Sequence, residues 1–446
     1  MSQKKRSTPK RSTVRHTRAI QVDRIKRPTV APPDEKTQEV LAEVIHPATY
    51  NQVAAFWDAG LRERILTLPV MVAVVLSAIW RQMGSVREVA RALNREGMLW
   101  TAPLDVSRKA VSDRLSTFPA HLFHSVLMEV LPKMQERWEK RKRPIPAAIA
   151  RARQHFPAIL ALDGSTLDGL LRKAGLLREG EGPILAGRMA ALLDVASQLP
   201  RQIWYEEDSQ AHDQRFWERA IESLQRGTLL LCDLGFTNHP IFDRLTGKGV
   251  FFLTRMKQNA AYQTVRILGK GEHFCDQVIV LGSRGKQCAH HLRLVEVMHQ
   301  GKWYRYLTNV LDPKILCTED VVALYWQRWR VEDAFKVVKR LLGLAYFWTG
   351  ASNGIQLQVW STWLLYAALV DLTDAVAERL EVPFQRVSME MVYRGLYHFT
   401  QAYHRGQAQD PVAYLADDAN KDLGVLKRKR GPTPSDLLHL TVSPIA

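Results

Sequence analysis

Apolar residues in the first third of the chain recur at intervals of three and four, which predicts helices that bury one face. Two such helices are expected at about 51–66 and about 70–82. Two shorter helices follow, the first with Val86 and Leu93 turned inward and the second capped by Ser107. The second short helix carries small and basic residues, a pattern typical of a helix-turn-helix and equally of a generic helical bundle.

After residue 156 the pattern changes to short apolar runs that predict β-strands. Five such runs lie at 157–163, 188–195, 201–206, 228–233 and 250–257. Helical segments are expected between the third and fourth strands and between the fourth and fifth. Three strands in an antiparallel meander followed by two parallel crossover units predict a ribonuclease-H-like α/β core.

The next part of the chain combines strand and helix patterns. Alternating polar and apolar positions within 262–316 predict a β-rich insertion in the core. A long helix is expected at about 319–342 and an apolar helix at about 355–378. The two longest apolar runs, Leu68–Trp80 and Val359–Val370, are shorter than the roughly 18 residues of a membrane-spanning helix, so we expect both to be buried helices.

Charge narrows the choice of partner. The 446 residues carry a formal net charge of +17, which favours a polyanion, either nucleic acid or an anionic membrane surface. Three segments hold the whole surplus, +9 in 1–30, +6 in 133–153 and +4 in 427–430. We therefore expect affinity for phosphate to be concentrated in these arms and connectors. The four cysteines form no dense framework, which is typical of a reducing compartment.

Two aspartates end predicted strands that can run parallel to each other. Asp163 is followed directly by Gly164, and Asp233 is followed two residues later by Gly235. Carboxylates at such strand ends point into the crevice where α/β sheets bind ligands. One buried carboxylate is often a helix cap or a salt-bridge partner, but two on adjoining strands favour a metal site.

A third carboxylate, Glu332, lies on the long predicted helix. At about 100° per residue, Tyr325, Arg328, Lys336 and Lys339 fall with it on one stripe about 80° wide. An apolar stripe beside them is suited to packing on a sheet. The polar stripe is also typical of a solvated helix face with ion pairs four residues apart, but that interpretation leaves the two aspartates unexplained.

Together these residues resemble the DDE transposases of bacterial insertion sequences, in the group with a Tyr-Arg-Glu-Lys signature. That signature, Y-x2-R-x3-E-x6-K, is matched at every spacing by Tyr325, Arg328, Glu332 and Lys339. The first acidic motif, D-G-[ST], begins at Asp163, and the second, D-x-G-[FY], begins at Asp233. The resemblance covers about 157–345 well and 40–139 loosely.

The resemblance implies a metal-dependent enzyme that hydrolyses and transesterifies phosphodiester bonds. Asp163, Asp233 and Glu332 would hold two Mg²⁺ ions, with Mn²⁺ as a possible substitute. Tyr325 and Lys339 would contact phosphates near the transposon end, together with Arg328 and the neighbouring Lys336. The implied partners are double-stranded DNA, as terminal inverted repeats and as target, and a second copy of the chain in a synaptic homodimer.

Related enzymes pass through a DNA hairpin, which requires a base displaced from the stack. Trp303 in the insertion is our candidate for holding that base, although tryptophan in a strand is usually a core residue. Arg255 and Lys257, at the end of the fifth strand, are further candidates for gripping DNA, and a solvated strand end explains them equally well. The implied location is the bacterial cytoplasm, in association with the nucleoid and not with a membrane.

We therefore predict an all-α N-terminal DNA-binding domain, a ribonuclease-H-like catalytic core with a β-rich insertion, and a helical C-terminal region. The predicted segments are a disordered basic arm at 1–35, the DNA-binding domain at 36–139, a basic linker at 140–156, the catalytic domain at 157–350 with its insertion at 262–316, and the C-terminal region with a basic tail at 351–446.

Other functions remain open at this point. A ribonuclease-H-like nuclease would cleave without joining, and a transposase-derived DNA-binding protein would lack catalysis. A membrane-surface protein is favoured by the charge alone. The insertion also contains His273, Cys275, Cys288, His290 and His291, but their spacing matches no standard zinc pattern.

Overall fold

The computed structural model describes residues 34–60, 65–167, 187–208, 212–236, 238–283, 285–299, 301–344, 348 and 351–428. Almost all of the predicted basic arm, and most of the basic tail with Lys429 and Arg430 of its charged cluster, therefore lie outside the described residues. Among the described residues, no helix is both long enough and apolar enough to cross a membrane.

Seven helices precede the sheet in the described part of the chain. They are α1 (Asp34–Asn51), α2 (Val53–Asp58), α3 (Leu68–Trp80), α4 (Val86–Arg95), α5 (Arg108–Thr117), α6 (Ala120–Lys140) and α7 (Ala147–Ala152). The helix predicted at 51–66 is much shorter than expected, and its regular part spans only Val53–Asp58. The cap predicted at Ser107 is present, since its hydroxyl accepts a hydrogen bond from the Ala110 amide at 3.1 Å. The Ser85 hydroxyl likewise accepts one from the Glu88 amide at 3.2 Å.

Nine strands form one mixed sheet in the order β3-β2-β1-β4-β5-β9-β8-β7-β6. They are β1 (Ile159–Thr166), β2 (Arg188–Asp194), β3 (Pro200–Glu206), β4 (Leu229–Cys232), β5 (Phe251–Arg255), β6 (Tyr262–Lys270), β7 (Phe274–Leu281), β8 (Leu292–His299) and β9 (Lys302–Thr308). β1, β2 and β3 pair antiparallel, whereas β1, β4 and β5 run parallel. The first five strands thus have the meander and crossover pairing that the sequence predicts for a ribonuclease-H-like core.

The predicted insertion continues this sheet and forms no separate layer. β9 pairs antiparallel with β5, with Leu253 opposite Thr308, and β8, β7 and β6 follow outward as a meander. Without β9, one edge of β5 would expose unpaired backbone groups. Two helices connect the core strands: α8 (Trp217–Ser223) precedes β4 and α9 (His239–Gly247) precedes β5.

The long helix predicted at 319–342 is interrupted. It consists of α10 (Thr318–Gln327), α11 (Trp329–Lys336) and a π-helical turn at Val337–Leu341. Around Arg328 the backbone bonds tighten, because the Arg328 amide donates to Tyr325 O and the Val331 amide to Arg328 O, each three residues back. A uniform 100° per residue therefore does not place Lys339, which lies in the π turn.

Three α-helices follow in the described chain, α12 (Ser352–Arg379), α13 (Met389–His404) and α14 (Pro411–Ala416), with 3₁₀ turns at Phe384–Arg386 and Asp418–Leu423. α12 is buried along most of its length and packs on α6, α3 and α5. One apolar core runs from Leu41 in α1 through one face of the sheet to Val425. The opposite face of the sheet is covered by α8 and α9 over a second apolar cluster. The N-terminal and C-terminal helices therefore share a core, and the division into domains stays a prediction.

Arginines of the basic linker form ion pairs within the protein, whereas the sequence led us to expect that their charge binds phosphate. The Arg141 guanidinium lies 2.8 Å from Asp371 and 3.1 Å from Asp374 of α12. Arg143 also binds Asp374, whose side chain is fully buried. Arg151 pairs with Asp320 of α10 at 2.5 Å. These cations anchor the linker to two helices, because buried carboxylates require partners.

Candidate active site

Two aspartates lie side by side because their strands stop pairing at the same level. The parallel pairing of β1 with β4 ends at Leu162 opposite Cys232, and the next residues are Asp163 and Asp233. β1 does not end at Asp163, as the sequence suggests, but continues to Thr166 paired with β2 alone. The loss of β4 as a neighbour opens the crevice into which both carboxylates point.

Glu332 reaches the same crevice from α11, which packs against β1. The three carboxylates surround one guanidinium, that of Arg328. Its Nη1 lies 2.9 Å from Asp163 Oδ2, and its Nη2 lies 3.1 Å from Glu332 Oε1 and 3.8 Å from Asp233 Oδ1. The Tyr325 hydroxyl donates to Asp233 Oδ1 at 3.4 Å. The structure therefore brings together the three predicted carboxylates, Tyr325 and Arg328.

Burial sets the electrostatics of this cluster. Burial raises the pKa of Asp163 to about 6; Arg328 and the Gly164 amide oppose that rise, and the charges of Asp233 and Glu332 add to it. Burial likewise raises the pKa of Tyr325, so its hydroxyl stays protonated as a donor. The Arg328 side chain is only 4% exposed, and its three ion pairs compensate its burial.

The donor set suits a divalent cation, but the carboxylates are arranged around Arg328. Among the described residues, no three His, Cys, Asp or Glu side chains stand in a geometry that would hold a metal ion directly. Three converging carboxylates with oxygen donors alone are the ligands that Mg²⁺ or Mn²⁺ prefers. The residues therefore fit a divalent ion in their chemistry, and such an ion would take the place of the guanidinium.

The remaining candidates on the signature helix make contacts within the protein. The Lys339 ammonium donates to the Thr166 carbonyl at the end of β1, beside the D-G-S motif. Lys336 pairs with Asp333 at 2.9 Å and is largely exposed. Both of these contacts lie outside the carboxylate cluster, and the role of the two lysines toward DNA stays a prediction.

An aromatic chain leads from the cluster to β9. Tyr325 packs on Tyr306 with ring centroids 5.3 Å apart, and the Arg255 guanidinium lies 5.2 Å from the Tyr304 ring centroid. Since successive strand residues point to opposite faces, Trp303 lies on the other face of β9 from Tyr304. Trp303 is 40% exposed. The structure therefore brings Arg255 toward the site and does not bring Trp303 there.

Lys257 lies two residues beyond the observed end of β5 and is exposed. The histidines and cysteines of the insertion form no metal-holding group within the described part of the chain. His290 instead pairs with Asp243 at 2.9 Å, and burial raises the pKa of Cys288 to about 12. Neither feature indicates zinc.

Sequence reasoning missed one ion pair beside the two aspartates. Arg188 at the start of β2 binds Asp213, which begins a short 3₁₀ turn before α8. Both residues are separated in sequence from the aspartate motifs and match no motif of their own. No signal in the sequence distinguishes them from other surface charges.

A basic groove lies away from the carboxylates, between α4 and α5. It has a volume of about 580 Å³ and is lined by Ser85, Val86, Arg87, Arg108, Lys109, Ser112 and Asp113. Arg87 and Arg108 are exposed, and no carboxylate pairs with them among the described residues. Lys109 pairs with Asp113 at 2.6 Å.

Comparisons with known proteins find similarity to transposases. Residues 180–367 match the Transposase DDE domain family, a segment that includes Asp233 and Glu332 and begins after Asp163. A candidate transposase of Sinorhizobium fredii, y4zB, is 27% identical over 257 residues, 55% of this chain and 69% of that protein. The transposase InsG for insertion sequence element IS4 of Escherichia coli is 26% identical over 133 residues, 28% of this chain and 30% of that protein.

The structure of a piggyBac transposase synaptic complex with hairpin DNA aligns with this chain at a TM-score of 0.39 and 12% identity. The alignment covers 88% of this chain and 84% of the piggyBac chain.

The sheet, the convergent carboxylates and the family match define an enzyme that acts on DNA. Residues 180–367 are similar to the DDE transposases, and both relatives are transposases, so the comparisons support a DDE transposase of the bacterial insertion-sequence kind, an enzyme of DNA cleavage and strand transfer. DDE transposases bind DNA and use divalent metal ions.

Proposed function

We propose that this transposase excises its element and joins it to target DNA, with Asp163, Asp233 and Glu332 as ligands of two Mg²⁺ ions. The observation that carries the proposal is the convergence of these carboxylates on the single guanidinium of Arg328. Mn²⁺ is expected to substitute, since both ions prefer oxygen ligands. Ions held by these carboxylates would activate the attacking oxygen and stabilise the leaving oxygen.

The protein groups around the ligands hold them in place. The Gly164 amide donates to Asp163 Oδ1 at 2.8 Å, which fixes the rotation of that carboxylate. The protonated Tyr325 hydroxyl does the same for Asp233. We propose that Tyr325, Arg328, Lys336 and Lys339 position the phosphates of the transposon end, because all four lie on the segment that carries Glu332.

The experiment uses the purified protein, Mg²⁺ and DNA that carries the inverted repeats bordering its gene. Asp163→Asn, Asp233→Asn and Glu332→Gln are each expected to abolish excision and strand transfer. Asp333→Asn is the matched control, because Asp333 neighbours Glu332 but pairs with Lys336 outside the cluster. Full activity in all three site variants would refute the assignment.

The same assay separates the other candidate functions. Cleavage without joining would favour a ribonuclease-H-like nuclease, and DNA binding without cleavage would favour a non-catalytic DNA-binding protein. Denaturing gels of the cleaved ends would reveal a hairpin intermediate, which we propose on the family resemblance alone. Trp303 stays a candidate for holding a displaced base, and Arg255 and Lys257 stay candidates for gripping the strand.

We propose further that the groove between α4 and α5 contacts the DNA backbone, which gives the N-terminal helices their DNA-binding role. Arg87 and Arg108 supply exposed cations without carboxylate partners at its rim. Arg87→Ala/Arg108→Ala is expected to lower the slope of log affinity against log salt by about 1.8, since each phosphate contact contributes about 0.9. Arg226→Ala, another exposed arginine, is the control. An unchanged slope in the double variant would exclude this surface.

Two protomers are proposed to pair two transposon ends in the bacterial cytoplasm. Sedimentation of the protein with and without end DNA tests the homodimer, and a monomer on paired ends would contradict it.

A further inference from the structure

The Arg188–Asp213 ion pair lies beside Gly164, and its carboxylate also faces Gly235, so it is close to the glycines of both aspartate motifs. A Cβ built on Gly164 would lie 2.2 Å from Asp213 Oδ1 and 3.3 Å from Arg188 Nε. A Cβ built on Gly235 would lie 3.4 Å from the other oxygen, Asp213 Oδ2. One carboxylate therefore fills the space beside the residue after Asp163 and also faces the second residue after Asp233. The glycine of D-G-S is required here because this ion pair occupies the place of a side chain.

The turn that carries Asp213 also holds the backbone of the second motif. The Gln214 amide group donates to the Gly235 carbonyl at 2.7 Å, and the Trp217 indole donates to the Phe236 carbonyl at 3.1 Å. Asn238 donates to Gln214 Oε1 at 3.2 Å and so supports the first of these bonds. The segment after Asp233 is thus fixed to the same turn that touches Gly164.

Arg188 connects this turn to the strand that supports Asp163. It pairs with Thr166 across the β1–β2 ladder, and Gly164 lies opposite Ala190 two positions along. The side chains of Arg188 and Asp213 are 19% and 23% exposed. At this burial a bonded pair holds its geometry better than an exposed one, which solvent screens.

We propose that the Arg188–Asp213 pair is a positioning device that sets the separation of Asp163 and Asp233. Asp213 is not a metal ligand in this proposal, and it acts only through the backbone of the two motifs. The inference rests on the proposed function, because it assumes that these two aspartates bind the ions together. Residues that orient metal ligands typically change metal affinity or activity by 10–100-fold when they are replaced.

The test compares Asp213→Ala with Glu218→Gln. Glu218 forms an exposed ion pair with Arg244 at 2.6 Å in the same region of the fold, away from both glycines. Mn²⁺ affinity is measured on the full chain without DNA, and cleavage rate and DNA affinity are measured with end DNA. Asp213→Ala is expected to weaken Mn²⁺ binding and to lower the cleavage rate by about tenfold or more, with DNA affinity unchanged.

If the pair is only structural, Asp213→Ala will lower the melting temperature but leave the Mn²⁺ affinity within about twofold of the Glu218→Gln control. That result would overturn the proposal. If Asp213→Ala does not fold, the same comparison is made with two conservative variants. Asp213→Asn keeps the shape of the side chain, and Arg188→Lys keeps its charge. Asp213→Asn is expected to retain more Mn²⁺ affinity than Asp213→Ala. The proposed function fails separately, if Asp233→Asn binds Mn²⁺ as tightly as the unmodified protein.

Discussion

Replacement of Asp163 by Asn is expected to remove a pH dependence from the stability of the metal-free protein. The carboxyl has a pKa of about 6 in the folded chain against an ordinary value of 3.8, mainly because it is buried. A raised pKa means that the folded state holds its proton more tightly than the unfolded state. Below about pH 4 the carboxyl is protonated in both states and does not lower the free energy of unfolding. As the pH rises from there through 6, the buried carboxylate lowers the free energy of unfolding, and above pH 6 this loss is complete.

The difference of about two pH units, at about 1.4 kcal/mol each, is worth about 3 kcal/mol. Urea unfolding in EDTA, from pH 4 to pH 7.5, measures the free energy of unfolding of both proteins. The unmodified protein is expected to lose about 3 kcal/mol relative to Asp163→Asn across that range. Asp333→Asn, which removes a half-exposed carboxylate outside the cluster, serves as the control. A constant difference between the two proteins at every pH would refute the reasoning.

Two further predictions concern buried ion pairs. Arg328→Ala removes the guanidinium that occupies the carboxylate cluster, so Mn²⁺ should bind the DNA-free protein at least about tenfold more tightly than it binds the unmodified protein. Mn²⁺ should also raise the melting temperature of the variant further. Weaker Mn²⁺ binding would show that the guanidinium does not compete with the ion. Asp374→Ala leaves Arg141 and Arg143 buried without this partner and should cost about 3–5 kcal/mol in urea unfolding. Removal of the exposed Asp418 should cost less than about 1 kcal/mol, and equal losses would show that burial does not decide the effect.

Part of the fold was predictable because its signals are local. The strand pattern around Asp163 and Asp233 depends on runs of neighbouring apolar residues, and each run gave a strand in the expected order. Boundaries were less accurate. β1 passes Asp163 because β2 continues to pair with it, and the helix around Arg328 tightens and then widens into a π turn. Both deviations depend on neighbours that a one-dimensional period does not contain.

The candidate site divides in the same way. Strand ends indicated Asp163 and Asp233, and a helix stripe made Glu332 a candidate, but the set of three was selected by the resemblance to the DDE transposases. The DNA contact of Arg328 stays a prediction, whereas its pairing with all three carboxylates in the folded chain was not predicted. Asp213 was missed because its contacts with Gly164 and Gly235 join segments about 20 to 50 residues away, and nothing in its own neighbourhood marks it.

The sequence by itself determined in what order the core strands occur and predicted which residues carry the chemistry, since both depend on residue type and short-range period. The tertiary structure alone decided how the charges are used. It turned linker cations such as Arg141 and Arg143 inward to Asp374, added β9 and its neighbours to the edge of the core sheet, and set Arg328 among the carboxylates. The physical reason is that the energy of a charge depends on its burial and its partner, and both are properties of distant segments brought together by folding.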